Sequence, residues 1–372
     1  MTTGTTSAKA VRPRRSRRIL LAAGAAFLAG LAVGGGVVYR MTMPGLVFLS
    51  RISDSSPEAE TAGEPLRERE VVIPAAGGRT IPAVVYEPEG GFDRVVVLLH
   101  GVHWQGYHEE RLVPFARKLA GLGYGVVTPD LEDLRTFDIR PRAVDDIERS
   151  IAWTLDDSGL VPSDSDRRVG VMGISFSGGL GLSAASRPAL RDRVAFALSF
   201  GGHADLDRTM EYLVTGRLPG GGELPAHVYG QVVIAREFAS DLVGAEEAPE
   251  FRDLCFAYLK GEEDAVEARL ESLPPASREL LALAVERDTV RLGAVLAPLV
   301  RAARSDDSLS PIRQSPPPFP VFLLHGSIDN VIPPSESVEL GRWADSASRV
   351  LISDLVVHVE LEADDTTWRE YW

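Results

Sequence analysis

The residues best suited to chemistry lie in Gly173-Ile174-Ser175-Phe176-Ser177-Gly178-Gly179. An apolar run, Val169-Gly170-Val171-Met172, precedes them, and a small-residue segment from Leu180 to Ser186 follows. That order predicts a buried strand, a sharp turn and a helix, with a serine at the turn. Gly173 lies two places before Ser175 and Ser177 two after it, and a backbone that doubles back needs small residues there. Such a turn lifts the hydroxyl out of the sheet, where a base can reach it. It also sets the Phe176 N–H at a helix N-terminus, where negative charge is favoured. The chemistry is attack by an activated serine. Two registers of the Gly-x-Ser-x-Gly pattern compete. With Ser177 as nucleophile, Gly179 takes the fifth place but Ser175 takes the first. Ser175 is preferred, because it lies nearer the strand end and keeps a glycine before it.

Three further segments must position partners for that serine. Arg94-Val95-Val96-Val97-Leu98-Leu99-His100-Gly101 is a charged entry, a continuous apolar run and a turn, the pattern of a strand buried on both faces. His100-Gly101-Val102 opens a polar and aromatic loop that runs to Glu110. Pro320-Val321-Phe322-Leu323-Leu324-His325-Gly326-Ser327-Ile328-Asp329 repeats the pattern, with an acid three residues after the glycine. Ser348-Arg349-Val350-Leu351-Ile352-Ser353 predicts a last strand, and His358 follows it.

In that order these segments resemble the α/β-hydrolase superfamily over about residues 68 to 372, closest to dienelactone-hydrolase-like or prolyl-oligopeptidase-like serine esterases. The resemblance implies a triad of Ser175 as nucleophile, Asp329 as orienting acid and His358 as base, in the family's Ser–acid–His order. It also implies an oxyanion hole made by the N–H groups of Val102 and Phe176. The activity implied is hydrolysis of a carboxylic ester through an acyl-enzyme, with no cofactor and no metal. Epoxide hydrolases and haloalkane dehalogenases carry Asp at the elbow, so the serine argues against both. Two departures stand out: Ser177 replaces the fifth-position glycine, and 14 residues after His358 leave room for only an abbreviated last helix. An acyltransferase or peptidase would use the same triad, and a non-catalytic scaffold would keep the fold without a reachable serine.

The chain holds seven histidines. His100 and His325 belong to strand-end His-Gly pairs and are expected to bond loop backbone. His103 and His108 sit beside Trp104, Tyr107, Glu109 and Glu110. They lack the i, i+4 helical spacing of a zinc-binding helix, and a pocket wall is the expectation there. His203, after the run Val194 to Phe200, is expected to line the pocket or cap a loop.

Between Phe200 and Phe319 the strand–helix alternation stops. Asp205–Val214, Ala226–Leu242, Pro249–Leu259, Glu263–Leu273 and Ala276–Ala303 show helical apolar spacing. Over a hundred residues between neighbouring strands exceeds any ordinary loop, so a helical cap is expected. Phe238, Phe251, Phe256 and Tyr258 would fill the cap core or an acyl pocket, core being the expectation for most. Acids at Glu246, Glu247, Glu262, Glu263 and Asp264 would disfavour anionic substrates.

Before the elbow, Glu70 to Pro74 and Thr80 to Glu87 predict a hairpin. Leu112 to Gly121 and about Ala143 to Asp157 predict helices, and Gly125 to Thr128 a strand. The expected fold class is α/β, a doubly wound, mostly parallel sheet with a helical cap inserted before the penultimate core strand. Such sheets place sites at the C-terminal strand ends.

The 372 residues carry a net charge of −14. Lys9, Arg12, Arg14, Arg15, Arg17 and Arg18 stand without an acid in the first 18 positions, so beyond them 53 acids face 33 bases. A body so acidic is not expected to bind nucleic acid. Cys255 is the one cysteine, which excludes an internal disulfide. Ile19 to Tyr39 is 21 residues without a charge, long enough to span about 30 Å of hydrocarbon as a helix. The preceding bases should stay cytoplasmic and the body outside. Ser16-Arg17-Arg18-Ile19-Leu20-Leu21 also resembles a twin-arginine export signal. No small-x-small cleavage site follows Tyr39, which favours an uncleaved signal anchor. The organisation expected is a basic cytoplasmic N-terminus (1–18), a transmembrane helix (19–39), a linker (40–67), the first part of the core (68–203), the cap (204–318) and the second part of the core (319–372). The partners expected are an ester substrate and the membrane; oligomeric state is left open.

Overall fold

The structure, a computed structural model, describes residues 65–161 and 167–354. Ile19–Tyr39 and His358 lie outside the described residues. Among those described, no helix is long and apolar enough to cross a membrane.

The described strands form one eight-stranded sheet. In chain order they are β1 (Leu66–Pro74), β2 (Thr80–Pro88), β3 (Arg94–Leu99), β4 (Tyr124–Pro129), β5 (Val169–Ile174), β6 (Val194–Phe200), β7 (Val321–Gly326) and β8 (Ser348–Ser353). Their order across the sheet is β1-β2-β4-β3-β5-β6-β7-β8. β1 and β2 pair antiparallel, as do β2 and β4; every later pair is parallel. β1 begins inside the stretch expected to be linker. Leu66, Arg67 and Glu68 continue the ladder opposite Pro88, Glu87 and Tyr86. Their charges suit an edge strand, and Arg69 reaches across to Glu87 at 2.8 Å.

β3 and β5 occupy the middle and are apolar apart from the exposed Arg94 that opens β3. Val97, Leu98, Leu99 and Val169 are fully buried, as strands covered on both faces require. The helices α1 (Leu112–Gly121) and α2 (Pro141–Asp156), with α3 (Phe176–Ala185) and α4 (Ser335–Ala344), connect the parallel strands. Ile147, Ile151, Leu180 and Leu340 are among the residues they bury in the core. This is the α/β-hydrolase fold.

A helical cap interrupts the sheet between β6 and β7, before the penultimate strand. It comprises α5 (Leu206–Thr215), α6 (Val228–Glu237), α7 (Ala239–Val243), α8 (Ala248–Leu259), α9 (Glu263–Glu267), α10 (Pro275–Val285) and α11 (Thr289–Ala302). Three expected helices are broken: Glu263–Leu273 ends as an α-helix at Glu267, before a separate 3-10 turn over Leu270–Ser272, and two others divide. Ala276–Ala303 splits at Arg287, whose φ of 56° no helix accommodates, and Asp288 caps the second half by accepting from the Arg291 N–H at 3.0 Å. Ala226–Leu242 starts only at Val228, where the His227 ring accepts from the Tyr229 N–H at 3.2 Å, and it breaks at Phe238. Ion pairs fix the root of the cap. Arg313 meets Asp205 at 2.9 Å and Asp207 at 2.8 Å. Arg208 meets the fully buried Glu336 at 2.6 Å, and Glu336 also accepts from the Ala204 and Asp205 N–H groups.

Candidate active site

β5 runs straight into α3, and Ser175 is the single residue between them. It is the helix N-cap with φ 58° and ψ −135°. A non-glycine residue held there costs about 1–3 kcal/mol and persists only when its surroundings over-determine it. Two hydrogen bonds do so: the Ser175 N–H donates to the Phe200 carbonyl at 2.7 Å, and the Gly178 N–H donates to the Ser175 carbonyl at 2.8 Å. Gly173 is required sterically, since a Cβ there would stand 2.4 Å from the Ser177 carbonyl oxygen. Ser175 is half-buried, whereas Ser177 is wholly buried. The Ser177 hydroxyl accepts from the Ile174 N–H at 3.0 Å and lies 2.8 Å from the Ile174 carbonyl and 3.1 Å from that of Leu99. The Phe176 N–H opens α3, where backbone donors have no partner within the helix.

The loop after β3 abuts this elbow. A Cβ on Gly101 would lie 3.4 Å from that of Ser175. The buried His100 ring sets the loop's course. The Leu131 N–H donates to Nε2 at 2.9 Å, so the ring proton sits on Nδ1, which donates to the Gly101 carbonyl at 2.7 Å. Burial lowers the His100 pKa from 6.5 to about 4, so the ring is neutral. Its 3.9 Å approach to the Asp130 carboxylate is therefore no ion pair. Val102 and Phe176 line one cavity together.

Asp329 is buried at the end of β7. Its Oδ1 accepts from the Val331 and Ile332 N–H groups, both at 2.9 Å, and its Oδ2 lies 3.2 Å from His325 Nε2. The same Nε2 donates to the Ile332 carbonyl at 2.8 Å, and Ser337 stands 2.7 Å from Nδ1. His325 is thus enclosed behind the acid. Oδ2 also faces Gly201, the residue after the Phe200 that holds the Ser175 N–H. Ser175 and Asp329 follow β5 and β7, strands that lie two spacings or about 10 Å apart with β6 between them. His203, after β6, is fully buried against α3 with Nε2 2.8 Å from the Leu309 carbonyl, and burial lowers its pKa. Among the described residues no cluster of His, Cys, Asp and Glu is arranged to hold a metal.

The cap supplies residues that the sequence reading missed. Met210 and Leu213 of α5, Tyr229, Gly230 and Val233 of α6, and Ile139 and Val331 of the core join Val102 and Phe176 around a narrow apolar slot of about 10 Å³, room for about one water. The cap members recur at i, i+3 and i, i+4, so each helix gives one face to the slot. That spacing was visible, but nothing in it distinguishes a pocket wall from a core stripe. Of Phe238, Phe251, Phe256 and Tyr258, expected mostly as cap core, none lines the slot, and Phe251 and Tyr258 are buried in the core. Of the cap acids, Glu262 pairs with Lys260 and Glu263 with Arg287.

No family model and no curated protein matches the sequence. Solved structures do. The chain is similar to an esterase from Pyrobaculum calidifontis at 16% identity, covering 87% of this chain and 84% of that one with a TM-score of 0.45. An esterase from Pyrococcus furiosus matches at 14% identity over 82% of this chain and 87% of that one, TM-score 0.46. An acylaminoacyl peptidase from Pyrococcus horikoshii matches at 14% identity over 82% of this chain but only 40% of its own length, TM-score 0.46.

Proposed function

We propose that this chain is a serine hydrolase that cleaves carboxylic esters through an acyl-enzyme on Ser175. The observation that carries the reading is Ser175 itself, strained at φ 58° between a central strand and a helix N-terminus, beside Val102 and Phe176, which share an apolar slot. In this reading His358 takes the Ser175 proton as the hydroxyl attacks the ester carbonyl, and Asp329 orients the ring. The oxyanion is held by the Val102 and Phe176 N–H groups, each worth a few kcal/mol, about 3, in a site that excludes water. His358 then gives its proton to the departing alcohol, and water repeats the sequence to release the acid. The apolar lining beside Val102 and Phe176 offers an anion no counter-charge, so an uncharged acyl group is favoured where the substrate enters. The esterase names among the similar structures agree with this reading.

The experiment is labelling with a fluorophosphonate, peptide mapping by mass spectrometry and turnover of an ester panel. The adduct is expected on Ser175. An adduct on Ser177, or none on a folded protein, overturns the assignment.

The proposal includes a tether: the uncharged run Ile19–Tyr39 behind six basic residues would hold the catalytic domain outside the cytoplasm. Protease added to intact cells should digest the domain, and protection until lysis would reverse the topology.

A further inference from the structure

Val102 is gripped from two sides. On its N-terminal side, His100 Nδ1 donates to the Gly101 carbonyl at 2.7 Å. That carbonyl belongs to the same planar peptide as the Val102 N–H, and in a trans peptide the two point in opposite directions. Fixing one aims the other. On its C-terminal side, the Tyr229 hydroxyl donates to the Val102 carbonyl at 2.9 Å. This second grip comes from α6, a cap helix, 127 residues away in sequence. Among the described residues the Val102 N–H itself donates to no acceptor.

α6 is seated firmly enough to transmit position. Arg236 pairs with Asp138 at 2.8 Å, and Glu237 at its end pairs with Arg140 at 2.6 Å. The Tyr229 ring meets Phe137 edge-on at 6.0 Å between centroids, and Phe137 meets Phe256 of α8 at 5.4 Å. Tyr229 is also a wall of the slot. One side chain therefore touches both the apolar slot and the carbonyl of Val102.

We infer that Tyr229 is a positioning residue, through which the cap sets the Val102 N–H for the oxyanion. The inference rests on the serine-hydrolase reading above. With His100 alone, the Gly101–Val102 peptide is held but the torsion beyond it is free; the Tyr229 hydroxyl removes that freedom. A cap displaced from the core would leave Ser175 in place and the oxyanion hole loose.

The test is Tyr229→Phe in the full chain, compared with wild type and with Tyr258→Phe, which removes another buried cap hydroxyl, the one that donates to the Ala284 carbonyl at 3.0 Å, and leaves the Val102 carbonyl its partner. Tyr229→Phe should lower kcat about 10-fold, less than the 10²–10³ lost when an oxyanion donor is deleted, with KM changed less than about twofold. Affinity for a trifluoromethyl ketone, which forms a tetrahedral adduct, should fall by a similar factor. Tyr258→Phe should lower thermal stability and leave both quantities within about twofold. Unchanged kcat and ketone affinity in an active, folded Tyr229→Phe overturns the inference alone, as does an equal loss in Tyr258→Phe. A wild-type chain with neither turnover nor labelling would overturn the underlying reading, and this inference with it.

Discussion

The Ser177 hydroxyl, wholly buried, lies 3.1 Å from the carbonyl of Leu99, 78 residues earlier in the chain. It thereby ties the end of β5 and the start of α3 to the end of β3. That tie joins the two strands from which the proposed nucleophile and the loop of Val102 emerge. It also accounts for a serine where glycine is usual, since the hydroxyl accepts from the Ile174 N–H as well. Ser177→Ala should cost about 1–3 kcal/mol, because buried partners lose a hydrogen bond, while labelling at Ser175 continues. Ser175→Ala should abolish labelling and, by relieving no buried bond, leave the urea midpoint nearly unchanged. The reverse pattern would make Ser177 the nucleophile.

Asp329 receives hydrogen bonds from the Val331 and Ile332 N–H groups, which fix one carboxylate oxygen and leave the other toward β6. If His358 completes the triad, Ser175→Ala and His358→Ala should each lower kcat by orders of magnitude. The double variant should lose little more than either, since triad members act as a unit. Asp329→Asn should hurt somewhat less. Steady-state kinetics on one ester decides this, and full activity in His358→Ala would remove that histidine from the mechanism.

The slot sets an acyl-length prediction. Leu213 and Gly230 close it where α5 and α6 meet, and a Cβ on Gly230 would stand 2.5 Å from the Leu213 side chain. Leu213→Ala should shift preference toward longer acyl chains by about 1–3 kcal/mol in kcat/KM ratios. Gly230→Ala should shift it the other way. Phe251→Ala should leave the ratios alone and cost about 3–5 kcal/mol of stability, as expected for a fully buried ring. A panel of p-nitrophenyl esters separates the cases; a length preference that follows Phe251 instead would return the pocket to the cap core.

The core strands and the elbow were legible in the sequence because each depends on local pattern. Val169 to Met172, Val95 to Leu99 and Val321 to Leu324 are continuous apolar runs, and a run of that length bounded by glycine fits few structures. Gly173 and Ser177 declare a tight turn by size alone. The cap was legible as helical but not in its breaks, since Arg287 and Phe238 carry no glycine or proline to mark them. Tyr229 was not legible as a site residue at all. Its partner is a backbone carbonyl 127 positions away, a contact that only the folded chain creates. His100 is intermediate: its His-Gly position predicted a bond to loop backbone, but the Leu131 N–H that fixes its tautomer comes from the end of another strand.

That tautomer gives a dependence on pH. The unfolded chain protonates His100 near 6.5, whereas burial holds the folded ring neutral down to about 4. Between those values the unfolded state binds more protons, so acid favours unfolding. Across the full interval His100 alone accounts for about 3 kcal/mol. Burial also lowers the His203 pKa, which acts in the same direction. Burial raises the Asp130 pKa, and that opposes the trend only toward its acidic end. The urea midpoint should therefore be flat above about pH 7.5 and fall between about pH 6.5 and 4.5. His100→Gln, less stable at neutral pH, should show a shallower fall. A midpoint that holds level down to pH 4.5 in the wild type would mean that the His100 ring takes up a proton without disturbing Leu131 and Gly101. The tautomer could then not be what aims the Val102 N–H.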